Sequence, residues 1–76
     1  MAEFLLEVVR RFVADPGAVS VEELERDGDA VLRLTVADDD RGKVIGRQGR
    51  IIRSLRTLVR AGAAHDGKRY LLEIVE

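Results

Sequence analysis

Cysteine and tryptophan are absent from the 76 residues, and histidine, proline, tyrosine and methionine occur once each. Without cysteine, disulfides and thiolate metal sites are excluded. A lone histidine, His65, leaves little for acid–base or nucleophilic catalysis, and Ser54 has no base placed beside it by any motif. No stretch approaches the roughly eighteen apolar residues of a membrane span. The opening Met1–Glu7 lacks the basic start and long apolar core of a signal peptide. These absences set the expectation of a cytoplasmic protein that is no enzyme, uses no metal or other cofactor, and contacts no membrane. At 46% hydrophobic and 36% charged residues the chain is too apolar to be disordered, and its length suits one domain, 1–76.

Acid is also missing from one segment. Between Arg41 and Arg60 lie seven basic residues and no acidic one, although the whole chain carries 13 basic and 14 acidic residues and a formal net charge of −1. The overall charge argues against a polyanionic partner, but its distribution argues for one. Inside that segment Gly46-Arg47-Gln48-Gly49 follows the apolar pair Val44-Ile45 and precedes Ile51-Ile52. Glycines allow a sharp turn and close approach of another backbone. A helical pattern begins directly after Gly49, so the turn offers free N–H groups at a helix N-terminus, where phosphate binds readily. It is neither a Walker A loop nor a GxGxxG dinucleotide fingerprint.

The stretch Val44–Ile52 resembles the signature of the K-homology (KH) RNA-binding domain, whose loop clamps the backbone of about four nucleotides. Over its whole length the chain is similar to the bacterial single-KH KhpA family. The resemblance implies an α+β fold, a type II KH domain of order α-β-β-α-α-β. In it a three-stranded mixed sheet carries three helices packed on one face. It further implies an RNA chaperone for single-stranded RNA, acting as a homodimer or as a heterodimer with a KhpB-like RNA-binding protein. Links to gene expression, cell-envelope homeostasis and cell length come with the same family.

The residues themselves agree on element order. Residues 2–14 place Phe4, Leu5, Val8, Val9, Phe12 and Val13 on a helical stripe, stopped by Asp15-Pro16-Gly17. Val19–Glu25 starts as a strand and then slips out of alternation, which predicts a bulge or an early end. Asp27-Gly28 marks a hairpin turn, after which Leu32, Leu34 and Val36 alternate cleanly in a central strand, 31–36. Asp38-Asp39-Asp40 reads as a solvated turn that caps a short helix near Arg41. The second long helix spans about Arg50 to Ala64. Ile51, Ile52, Leu55, Leu58, Val59 and Gly62 share one face, and Arg50, Arg53, Arg56 and Arg60 the other. No glutamate is interleaved to pair with those arginines, which favours a ligand over plain solvation. His65 reads as a loop residue, Gly67 as a left-handed cap, and Lys68–Glu76 as the last strand, with Arg69–Val75 parallel to 31–36.

The site expected on these grounds comprises Lys43, Val44, Ile45, Gly46, Arg47, Gln48, Gly49, Arg50, Ile52 and Arg53. Backbone N–H groups of Gly46–Gly49 take phosphate oxygens, and Arg47 and Lys43 add charge. Bases lie over a groove of Val44, Ile45, Ile52 and an edge of the central strand. With aromatics at 4%, an aliphatic groove suits the composition better than a stacking platform, and Tyr70 is assigned to packing. The competing reading is a protein-interaction adaptor, docking through the small-residue helix end Gly62-Ala63-Ala64 with an exposed Val31; for assembly with a second RNA-binding subunit the candidate surfaces are the same helix end and the first helix's exposed flank.

Overall fold

The computed structural model describes residues 1–67 and 69–75. Helix α1 (Ala2–Arg10) leads into strands β1 (Ser20–Arg26) and β2 (Asp29–Thr35), then helices α2 (Arg41–Ile45) and α3 (Arg50–Asp66) and strand β3 (Tyr70–Ile74). The sheet runs β1-β2-β3, with β2 antiparallel to β1 and parallel to β3. The expected order, the mixed sheet and the central position of β2 are all present.

Helix α1 has Glu3 in its first turn and Arg10 in its last, each matched to the helix dipole. It stops four residues short of the expected end. Asp40 explains why: its carboxylate accepts the backbone N–H groups of Ala14 (3.0 Å) and Asp15 (2.9 Å), which a continuing helix would have used internally. The buried pair is Leu5 and Val9, with Leu6 partly covered, whereas Phe4 is 52% exposed. At 3.6 residues per turn Phe4 lies roughly 120° from the midline of that pair and Leu6 roughly 80°, so the sheet reaches one and not the other.

No bulge interrupts β1. Its ladder with β2 runs unbroken from Ser20↔Thr35 to Arg26↔Asp29. The apparent slip arises because the two faces each claim one apolar residue. Val21, opposite Leu34, joins the core on the helix side, while Leu24, opposite Val31, faces away. Val31 is fully buried on that helix-free face, contrary to the expectation of an exposed docking residue. Leu24 and Leu71 flank it, and the Arg26–Glu73 ion pair (3.0 Å) crosses the central strand diagonally over its row.

One core holds the helices to the sheet: Leu32 and Leu34 from β2 meet Leu5 and Val9 of α1, Val44 of α2, and Leu55 and Val59 of α3. The buried face of α3 is narrower than expected, because Leu58 is 45% exposed and Ile51 also reaches solvent. Ala63 fills the core instead, and a Cβ on Gly62 would sit 2.1 Å from Met1 Cε. The small-residue end is thus spent on internal packing, leaving only Ala64 exposed. The helix runs two residues beyond Ala64, so the backbone of His65 is helical, and Gly67 (φ 71°) caps it with its N–H on Ala63 O. The strand that follows is shorter than expected; Lys68 and Glu76 lie outside the described residues.

Candidate nucleic-acid interface

Between α2 and α3 the chain turns through Gly46–Gly49. Gly46 N–H closes α2 on Gly42 O (2.8 Å), and Gly46 then takes φ 75°, ψ 173°. That region is open essentially to glycine alone. A Cβ there would also meet Ile51 Cγ1 at 2.7 Å, so the close approach of α3's first turn independently demands glycine. Gln48 (φ 57°, ψ 26°) and Gly49 (φ 73°, ψ 20°) are both left-handed. For Gln48 the conformation costs about 1–2 kcal/mol. Two bonds tighten the turn, Gly49 N–H to Gly46 O (3.2 Å) and Arg50 N–H to Arg47 O. The third holder is Arg53, whose Nη2 donates to Gln48 O (2.8 Å) and Nε to Gly49 O (3.2 Å).

Charge around the turn is available to a ligand. Among the described residues Arg47, Arg50, Arg53, Arg56 and Arg60 form no ion pair with a carboxylate, whereas Arg41 and Lys43 pair with Asp38 and Asp40. Lys43 keeps about half its side chain in solvent, with Nζ 3.4 Å from Asp40. Ser54 Oγ donates to Arg50 O (3.1 Å), so its hydroxyl serves the helix backbone.

Asp40 holds this region from behind. It is 1% exposed yet ionised, because the N–H groups of Ala14 and then Asp15 keep its pKa below the ordinary carboxylate value, helped by Lys43 and opposed by burial. It sits at the N-cap of α2 but makes no side-chain cap bond. Its role is to tie the α1–β1 connection to the helix before the loop. The sequence reading assigned it to a solvated turn. Three consecutive aspartates look alike in sequence, and nothing local marks the third as the buried one.

The groove also differs from expectation. Val44 and Ile52 are buried in the core, so their side chains support the loop from beneath, while Ile45 is the exposed member of the set. Strand β2 is paired on both sides and has no free edge. An open groove lies instead between α3 and β3, lined by Arg56, Val59, Arg60, Tyr70, Leu71 and Glu73. A second hollow bounded by Arg60, Ala63, Ala64, Arg69 and Tyr70 continues it. Lys43, Ile45, Arg47, Gln48, Arg50 and Arg53 all retain exposed surface at or beside the turn. The wall supplied by β3 was missed, since a half-buried strand residue carries no mark of which groove it borders.

Residues 2–74 match the family described as KhpA/KhpB, KH domain. The chain belongs to this KH-domain family. It is 41% identical over 75 residues to the RNA-binding protein KhpA of Caldanaerobacter subterraneus subsp. tengcongensis, covering 99% of this chain and 100% of the relative. It is 45% identical over 74 residues to the RNA-binding protein KhpA of Treponema pallidum, covering 97% and 92%. To the protein of that name from Listeria monocytogenes serovar 1/2a it is 40% identical over the full length of both. These relatives are named as RNA-binding proteins, and none carries the name of an enzyme. The KhpA/KhpB KH domain thus takes in every element described above, from α1 to the last residue of β3. Among the described residues no helix is long and apolar enough to cross a membrane.

Proposed function

We propose that this protein binds single-stranded RNA, with phosphates on the Gly46–Gly49 turn and bases along the groove between α3 and β3. The observation that carries the reading is the junction itself. Two consecutive left-handed residues lead directly into the N-terminus of α3, beside Arg47 and Arg50, which have no acidic partner among the described residues. Gly46, Gly49 and Arg50 spend their N–H groups on bonds within the junction, so the groups left for an anion are those of Arg47, Gln48 and the next residues of α3, with arginines adding charge. The full-length likeness to RNA-binding KhpA proteins supports RNA as the ligand. The groove beyond the turn mixes aliphatic walls with Arg56 and Arg60, a surface for unstacked bases followed by a charged backbone.

The finer reading is an RNA chaperone in the cytoplasm that serves many transcripts and through them gene expression and cell-envelope homeostasis. One KH groove takes about four nucleotides, too few to select a transcript. Pairing two such sites raises affinity through effective concentration. A homodimer or a complex with a KhpB-like RNA-binding protein would supply the second site. The family's joint description of KhpA and KhpB supports that pairing.

The test is a titration of labelled single-stranded RNA against wild type and the double variant R47D/Q48D, with circular dichroism as the folding control. The variant is expected to remain folded and lose binding, because both residues are exposed, Arg47→Asp inverts a charge and Gln48→Asp adds a negative one. Undiminished binding by a folded variant would remove the turn from the site. Binding without a steep ionic-strength dependence would favour the adaptor reading, to which the half-exposed Phe4 and Leu58 lend some support.

A further inference from the structure

Arg53 occupies an unfavourable place for a cation. It lies in the first turn of α3, at the positive end of the helix dipole, a turn that also holds Arg50 and contains no acidic residue. Its guanidinium nonetheless has a defined position. Nη2 meets Gln48 O at 2.8 Å and Nε meets Gly49 O at 3.2 Å, a two-pronged grip on consecutive carbonyls. Those carbonyls belong to the two left-handed residues of the turn, one of which is not glycine. Only a planar fork with fixed donor spacing can hold both at once; a lysine ammonium is a single flexible point.

We propose that Arg53 is a positioning residue: a latch that holds the Gln48–Gly49 backbone in its anion-receptive conformation, not one more phosphate contact on the arginine face. With both carbonyl oxygens drawn onto the guanidinium, neither is free to turn toward an arriving phosphate. The latch offsets the cost of the left-handed Gln48 before any ligand arrives, so the turn is pre-organised. It acts through backbone that Arg47 and Arg50 leave untouched, since the bonds to Gln48 O and Gly49 O come from Arg53 alone among the described side chains. The role in binding rests on the proposed RNA function, but the latch itself is a property of the free protein.

The experiment compares wild type, R53A, R53K and R50A. Amide chemical shifts and exchange of Gln48 and Gly49 are recorded by NMR without RNA, and the affinity for a labelled single-stranded oligonucleotide is measured across a salt series. In R53A and R53K the two amides are expected to shift and exchange faster while the rest of the spectrum stays native. If the freed turn holds the receptive conformation about a tenth of the time, the apparent Kd rises roughly tenfold in both. The log–log salt slope should stay at the wild-type value in R53K and R53A, whereas R50A lowers it by about 0.7. Wild-type affinity and unmoved amides in R53K would overturn the latch. So would a slope lowered by about 0.7 in R53A with the amides unmoved, which would make Arg53 a phosphate contact. Moved amides with unchanged affinity would overturn its part in binding. Should wild type bind no RNA, the proposed function fails while the amide readout still decides the latch.

Discussion

The chain contains two turns with the same pair of positive φ angles and different surroundings. Asp27 (φ 53°) and Gly28 (φ 85°) close the β1–β2 hairpin; Gln48 (φ 57°) and Gly49 (φ 73°) close the α2–α3 junction. Both pair a residue forced into the left-handed region with a glycine that enters it freely. The hairpin turn is flanked by paired strands, and Glu23, Glu25 and Asp29 line the hollow beside it with a single cation, Arg69, which pairs with Asp29. The junction turn opens onto a helix N-terminus among Arg47, Arg50 and Arg53. Positive φ angles alone therefore do not mark a turn out as an anion site. In the proposed function the element that follows the turn and the sign of the nearby charges make the difference.

Changes that separate backbone from setting should act unequally on the two turns. The largest effect is expected from Gly46→Ala, where a glycine-only conformation and a 2.7 Å clash with Ile51 coincide. The loss should be on the order of 3 kcal/mol in chemical unfolding, with RNA affinity falling in whatever remains folded. A loss below about 1 kcal/mol would mean the α2–α3 junction yields far more easily than its packing indicates.

Next comes Asp40→Asn, which removes a buried carboxylate holding two N–H groups behind the junction. The folded-state pKa of Asp40 is lowered, so its contribution is complete above the unfolded value of about 3.9 and fades as pH falls through the lower folded value. The variant should be less stable than wild type at pH 7, and the gap should close below about pH 4. Denaturant titrations at several pH values would show it; a gap that widened in acid would contradict the assignment.

The hairpin turn should be forgiving. Gly28→Ala meets no atom within 4 Å and suffers only the left-handed penalty, about 1–2 kcal/mol, with RNA affinity untouched. A change in affinity would tie the hairpin to the site and blur the contrast. Smallest of all, Arg56→Ala and Arg60→Ala should leave stability almost unchanged and lower the salt slope by at most about 0.7 each. Identical slopes in both variants and wild type would confine the phosphates to the junction and return these arginines to solvent.

Much of this was legible in the residue order, and the misses share a cause. Helical and strand periodicities, the Asp-Gly turn, the glycine pair before α3 and Gly67 after it are local signals, and each element lies close to its expected place. What failed was the assignment of individual side chains to inside or outside. Phe4, Ile51 and Leu58 fall within apolar stripes yet meet solvent, because how much of a helix the sheet covers depends on its tilt and its neighbours. Arg53 reads in the sequence as a phosphate-binding arginine beside Arg50, whereas in the structure its guanidinium folds back on the turn.

The sequence by itself determined the order of elements, the place where a helix must start from a glycine turn, and the concentration of positive charge around it. These depend on φ/ψ preferences, side-chain spacing and charge count within about twenty residues, and all are written along the chain. Only the tertiary structure decided that Asp40 is the buried aspartate holding the end of α1's segment, 26 residues away in sequence. The same holds for Val31, covered by an ion pair between β1 and β3, and for the groove that uses β3 because β2 is paired on both sides. Each of these joins segments distant in the chain. Burial, strand edges and ion pairs across a sheet come into being only when those segments meet, and no local pattern carries them.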